Sequence, residues 1–242
     1  MGKTIVFVSS VGGTGKTTIA ATISKCLCKM GKSVLLIETD PFRPLGVLLE
    51  SGEETVYDLY DLLVGSCEIE NAIVSVDDGL DVIIGPQKSL PKNLAQNAGA
   101  LIDALKQKYD FVIVDRPSGY DLKIEPYLSN FLALAVYKNG DPVSLLAAEK
   151  MGETLKEFET CERRLIINEF TYKKNKKALT NLDEISDKTG VRILGVVPED
   201  ENVISARKSG GLSEKGKFVD ACARISERLL NQPTPLPNLK KM

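Results

Sequence analysis

The chain has 242 residues, a formal net charge of −2 and no histidine. That length suits one large α/β domain with a full core, and the charge balance gives no electrostatic reason for tight nucleic-acid binding. The lack of histidine excludes imidazole as a metal ligand or catalytic base, leaving carboxylates, lysine and backbone groups to carry any chemistry. In chain order, the apolar run Ile5–Val8 reads as a buried parallel strand and Thr17–Met30 as a helix. Further strands are predicted at Ser33–Glu38, Asp81–Ile84, Phe111–Asp115, Phe131–Tyr137, Leu165–Asn168 and Ile193–Val197. Further helices are predicted at Val56–Val64, Leu94–Lys108, Pro142–Phe158, Asn175–Lys188 and Glu214–Leu230. Most of the strands are short and rich in Val, Ile and Leu without alternation, as in a sheet covered on both faces. The expected fold is α/β, a doubly wound, mostly parallel sheet flanked by helices, with ligands at the C-terminal strand ends. No repeat or interior linker interrupts residues 1–230, which are read as one domain. A Pro-rich tail, 231–242, is expected to be extended or disordered. There is no run of 18 apolar residues, and the N-terminus leads straight into a strand, so no span or leader is expected. Five scattered cysteines point to reduced thiols and a cytoplasmic protein.

Residues Ser10-Val11-Gly12-Gly13-Thr14-Gly15-Lys16-Thr17-Thr18 carry the chemistry. Strand, Gly-rich turn, then helix is the context of a phosphate-binding loop. The helix N-terminus offers unpaired N–H groups and partial positive charge, and Gly12, Gly13 and Gly15 let backbone wrap around phosphate oxygens. Lys16 is expected to meet the β- and γ-phosphates, and Thr17 to ligate Mg²⁺. The generic pattern has glycine where this chain has Ser10. The second strand ends in Glu38-Thr39-Asp40-Pro41, and Phe111-Val112-Ile113-Val114-Asp115 is four apolar residues closed by an acid at a strand tip, the Walker B pattern beside a metal. Arg116, which follows, reads as an outward-pointing residue, since arginine is mostly exposed.

The loop resembles the deviant Walker A, K-G-G-x-G-K-T-T, of the MinD/ParA group of P-loop ATPases. Gly12, Gly13, Gly15, Lys16, Thr17 and Thr18 match, and the first position, a signature lysine in the group, is Val11. Asp115, Pro117 and Gly119 match D-x-P-x-G. Leu165–Asn168 resembles the strand whose Asn faces adenine, and Leu194–Asp200 resembles the L-G-V-I-P-E-D segment that closes the base pocket. The resemblance covers roughly residues 3–230 and is nearest the MinD branch. It implies ATP and Mg²⁺ as ligands. Nucleotide contacts would come from Gly12, Gly13, Thr14, Gly15, Lys16, Thr17, Thr18, Asn168, Pro198, Glu199 and Asp200. The metal would lie near Thr17, Glu38 and Asp115, and Lys16 and Asp40 would be catalytic, with Asp40 positioning the attacking water. It further implies an ATP-dependent homodimer and a protein partner that reads nucleotide state. Val11 carries no charge and cannot reach across such a dimer as the group's lysine does.

Two other readings stay open. One is a module that holds ATP and barely hydrolyses it. The other, a nucleotide-driven metal chaperone or electron donor, needs interface cysteines that 111–137 lacks. Cys26, Cys28, Cys67, Cys161 and Cys222 read as small apolar fillers. Lys173–Lys177 reads as a solvated helix start, and no basic amphipathic helix follows Leu230, so no membrane anchor is expected.

Overall fold

Short strands rich in branched aliphatics bury both faces only when helices cover a sheet from either side. The computed structural model has that architecture and describes residues 2–42, 44–49, 56–88, 90–119, 121–172 and 182–239. Among these, the strands are β1 (Lys3–Val8), β2 (Val34–Glu38), β3 (Ile73–Asp77), β4 (Leu80–Ile83), β5 (Phe111–Asp115), β6 (Phe131–Lys138), β7 (Cys161–Phe170) and β8 (Arg192–Pro198). The helices are α1 (Lys16–Lys29), α2 (Pro44–Leu48), α3 (Leu59–Leu63), α4 (Ile69–Ala72), α5 (Lys92–Leu105), α6 (Pro142–Leu155), α7 (Leu182–Thr189), α8 (Glu201–Lys208) and α9 (Lys217–Leu229).

The strands form one sheet in the order β3-β4-β2-β5-β1-β6-β7-β8. All pairs are parallel except β3 with β4. Chain connections leave β1 toward β2 on one side and reach β6 on the other. The C-terminal end of β1 is therefore the switch point where an open α/β sheet leaves a crevice for a ligand.

Alternation along each strand divides the core in two. Val6, Val8, Leu35, Ile37, Val112 and Val114 belong to the cluster that includes Ile102 of α5 and Met151 of α6. Ile5, Phe7, Val34, Leu36 and Ile113 belong to the one that includes Ile23 of α1 and Ile225 of α9. With both sides covered, β2 and β5 are buried at every residue.

The seven expected strands are all present within a few residues of their expected limits. The edge strand β3 was not anticipated. Its half-buried pattern is weak, but Asp78-Gly79 joins it to β4, and Gly79 has φ +77°, the left-handed backbone that a tight hairpin turn demands. Helix α8 was also missed, because none of its residues is buried and no apolar period marks it. The expected helix 175–188 appears as Leu182–Thr189, and residues 173–181, including the basic run, lie outside the described residues. The tail from 232 to 238 has no regular structure, and Arg228 Nε donates to the Thr234 carbonyl at 2.9 Å. No helix among the described residues is long and apolar enough to cross a membrane.

Candidate functional site

The loop from Ser9 to Gly15 leaves β1 at the switch point and feeds directly into α1. Gly15 sits at the helix N-cap with φ +91°, and no side chain caps the first turn. The orphan amides of that turn, with the positive end of the helix dipole, suit an anion. Gly15 is also required sterically: a Cβ there would lie 2.2 Å from Asn168 Nδ2. Asn168, near the end of β7, packs onto the loop and donates to the Thr14 carbonyl at 2.8 Å. Ser10 braces the loop from the other side, donating to the Ala147 carbonyl of α6 at 2.7 Å.

Lys16, Thr17 and Asp115 converge. Thr17 Oγ1 donates to Asp115 Oδ2 at 2.6 Å. Asp115 is fully buried at the tip of β5, and burial pushes its pKa up to about 6, against the pull of Lys16 and the Thr17 hydroxyl. Its other oxygen, Oδ1, is buried and accepts no hydrogen bond, and the same is true of Thr14 Oγ1. A buried carboxylate oxygen left bare beside a hydroxyl is a hard-oxygen set that fits Mg²⁺ and its water shell. The ammonium of Lys16, a residue 7% exposed, donates to Ser118 Oγ at 3.2 Å. Burial lowers the Lys16 pKa, while Asp115 and Asp40 oppose the shift.

The two acids at the tip of β2 have different surroundings. Asp40 is half-buried, close enough to act on Lys16, and its Oδ1 accepts from the Phe42 amide at 3.0 Å. Glu38 is fully buried, and both its oxygens accept from backbone: Oε1 from Leu45 N at 2.7 Å and Oε2 from Gly85 N at 3.1 Å. Burial pushes the Glu38 carboxyl up to about 7, with those two amides pulling it back.

Arg116 does not point outward as expected. It is 6% exposed, and its guanidinium faces a buried carboxylate, Glu125, with Nε 3.1 Å from Oε1. Nη1 donates to the Gly119 carbonyl at 3.1 Å and Nη2 to the Asp121 carbonyl at 2.6 Å. The fork satisfies two carbonyls and one carboxylate of the loop after β5, which offsets its burial. That loop is also tied to the P-loop, Gly119 N donating to the Ser9 carbonyl at 2.9 Å.

A cavity of about 390 Å³ opens on the far side of Gly15, lined by Gly15, Thr18, Asn168, Glu169, Pro198, Glu199 and Asp200 and by Val203, Ile204 and Arg207 of α8. The residues read from sequence as base contacts therefore surround one cavity. The Asp200 carboxylate is committed elsewhere, accepting from Asn202 N at 2.9 Å and from Phe218 N at 3.0 Å, and so caps α8 and braces the start of α9. Burial works to raise its pKa, and those amides outweigh it, leaving Asp200 below the ordinary value. Sequence reasoning missed Val203, Ile204 and Arg207, which sit on the helix that lacks an apolar stripe. It also missed Glu169, whose φ of 53° is rare for a side chain of this kind and marks strain at the pocket wall. Cys26 and Cys222 are buried and free, and Cys28 Sγ donates to the Gly79 carbonyl at 3.2 Å.

Residues 5–212 match the model of the CobQ/CobB/MinD/ParA nucleotide binding domain. The septum site-determining protein MinD of Bacillus subtilis (strain 168) is 30% identical over 251 residues, covering 100% of this chain and 94% of that protein. The MinC:MinD cell division protein complex of Aquifex aeolicus contains a chain with TM-score 0.84 and 26% identity, covering 98% of each chain. The septum site-determining protein MinD of Pyrococcus horikoshii OT3, complexed with Mg-ADP, gives TM-score 0.80 and 26% identity over 95% of this chain and 96% of that one. The match to the domain model spans most of the chain, and the uncapped loop, the Thr17–Asp115 pair and the cavity beside Asn168 agree with it: this protein belongs to the CobQ/CobB/MinD/ParA nucleotide-binding family.

Proposed function

We propose that this chain binds Mg·ATP in the cytoplasm, hydrolyses it, and uses nucleotide state to control assembly with a protein partner. The observation that supports this most is the buried pairing of Thr17 with Asp115, whose Oδ1 is bare and whose charge acts on Lys16. Mg²⁺ bound there would neutralise charge on the phosphate oxygens. Thr17 and Asp115 would hold it, and its field would keep Asp115 ionised despite burial. Lys16 would exchange its bond to Ser118 for the β- and γ-phosphates. Asp40, near Lys16 at the mouth of the site, would orient the attacking water. Asn168 and the Pro198–Asp200 backbone would hold the base.

Assembly would follow from two loops that converge on Lys16. One carries Asp40 and the other Ser118, so nucleotide state at Lys16 biases both. The proposed assembly is an ATP-dependent homodimer that recruits a protein partner. The Aquifex relative's complex with MinC is consistent with a partner of that kind.

A second reading, an ATP-holding module with slow turnover, is favoured by one specific arrangement. Val11 has no ammonium, and the nearby guanidinium of Arg116 is committed to Glu125, Gly119 and Asp121. Turnover and light scattering of wild type, Asp40→Ala and Val11→Lys separate the readings. The hydrolysis reading expects measurable wild-type turnover, loss of it in Asp40→Ala, and more persistent ATP-dependent dimers in that variant. Wild-type turnover no faster than that of Asp40→Ala, with ATP still bound, establishes the slow module instead.

A further inference from the structure

Glu38 ends β2 two residues before Asp40, and its carboxylate spans two other pieces of backbone. Leu45, which donates to Oε1 at 2.7 Å, lies in the first turn of α2, at the end of the segment that carries Asp40. Gly85, which donates to Oε2 at 3.1 Å, follows β4 on the neighbouring strand. The packing there leaves no slack. A Cβ at Gly85 would lie 2.6 Å from the Asp40 carbonyl oxygen and 2.8 Å from Glu38 Cγ. The carboxylate thus joins the end of β2 to the first turn of α2 and to the backbone that follows β4.

We propose that Glu38 is a positioning residue for Asp40, clamping the first turn of α2 at Leu45 to the backbone at Gly85, and that it does not serve the metal. Side-chain length is part of the case. Aspartate would withdraw the oxygens by about 1.5 Å, one carbon–carbon bond, and lose the span between two amides. Glutamine keeps the length but turns one N–H donor toward another, leaving an amide unpaired. The inference rests on the proposed Mg·ATP function for its consequence at Asp40, while the clamp is measurable without nucleotide.

The test begins with amide hydrogen exchange of the wild type, without nucleotide. Leu45 and Gly85 should be protected at least tenfold over unstructured peptide, and exchange at the unprotected rate overturns the clamp with no variant needed. Glu38→Gln and Glu38→Asp should then lose at least tenfold of that protection. With Mg·ATP, either variant should lower kcat about tenfold while the ATP Kd and the half-saturating Mg²⁺ concentration stay within twofold. Combined with Asp40→Asn, Glu38→Gln should add no further loss, because it acts through Asp40. A tenfold rise in the Mg²⁺ requirement with both amides still protected overturns the proposal and makes Glu38 a metal-shell residue. Additive losses in the double variant also overturn it. A wild type that binds no ATP sinks the proposed function alone, and the amide exchange still decides the clamp.

Discussion

Thr17 and Asp115 lie 98 residues apart in the chain, and their side chains meet at 2.6 Å. The contact joins the first turn of α1 to the tip of β5, across the parallel pairing of β1 with β5 that sets Phe7 beside Asp115. Its energetic character is unusual for a core contact, because one carboxylate oxygen is bonded and the other is bare. Leaving a buried acceptor unmade costs about 1–3 kcal/mol, so the pair carries a cost in stability.

The pH dependence of stability reports that expense. Asp115 has a folded pKa of about 6 against an ordinary 3.8, so the folded state holds the proton more tightly than the unfolded chain. Its stabilising contribution is full below the ordinary value and is lost as pH rises through about 6. In denaturant unfolding without nucleotide or Mg²⁺, the Asp115 contribution should therefore fall by roughly 2 kcal/mol from about pH 4 to about pH 6.5, at about 1.4 kcal/mol per pKa unit. Asp115→Asn should reduce the slope by about that amount. Part of the slope should remain in that variant, because Glu38, raised from an ordinary 4.5 to about 7, contributes with the same sign as pH rises through that overlapping range. A slope unchanged in Asp115→Asn assigns it to other groups.

The Arg116–Glu125 pair is buried on both sides, so its members depend on each other. Arg116→Met should destabilise by about 3–5 kcal/mol by leaving the Glu125 charge uncompensated. The double variant Arg116→Met/Glu125→Gln should recover much of that loss, a coupling that urea unfolding measures directly. Additive losses would mean that the pair does not act as a unit.

Base selection should rest on Asn168 and the Pro198–Asp200 segment. Asn168→Ala should weaken ATP by about 1–3 kcal/mol, roughly five- to 150-fold in Kd. GTP should bind wild type at least tenfold more weakly than ATP. Calorimetric titration of the two nucleotides checks both, and equal affinities would place the base elsewhere.

Much of this site could be read from the chain because its elements are local. A strand, three glycines, a lysine and three threonines are contiguous, and Asp115 closes an apolar run. The apolar strands likewise announce themselves, since burial on both faces leaves little room for polar residues. What escaped depends on long-range partners. Arg116 turns inward because a carboxylate nine residues on and two loop carbonyls await it, and no local pattern encodes that. The reach of Glu38 to Leu45 and Gly85 is set by a neighbouring strand. Helix α8 is a different case: its only sequence marker is the cap at Asp200, which the resemblance to a base-pocket segment obscured. The hairpin at Asp78-Gly79, by contrast, carries a local signal, an Asp-Gly pair between two short apolar runs.

The central claim is that the loop before α1 grips the phosphates of ATP through Lys16. Thermal unfolding with saturating Mg·ATP tests it most directly, because a ligand that binds only the folded state stabilises by about 2.7 kcal/mol at a hundredfold excess over Kd. Wild type should show a clear upward shift in Tm, and Lys16→Ala, folded and otherwise similar, should show little or none. Equal shifts in the two proteins would contradict the account, since the ammonium now resting on Ser118 would then have no part in holding the nucleotide.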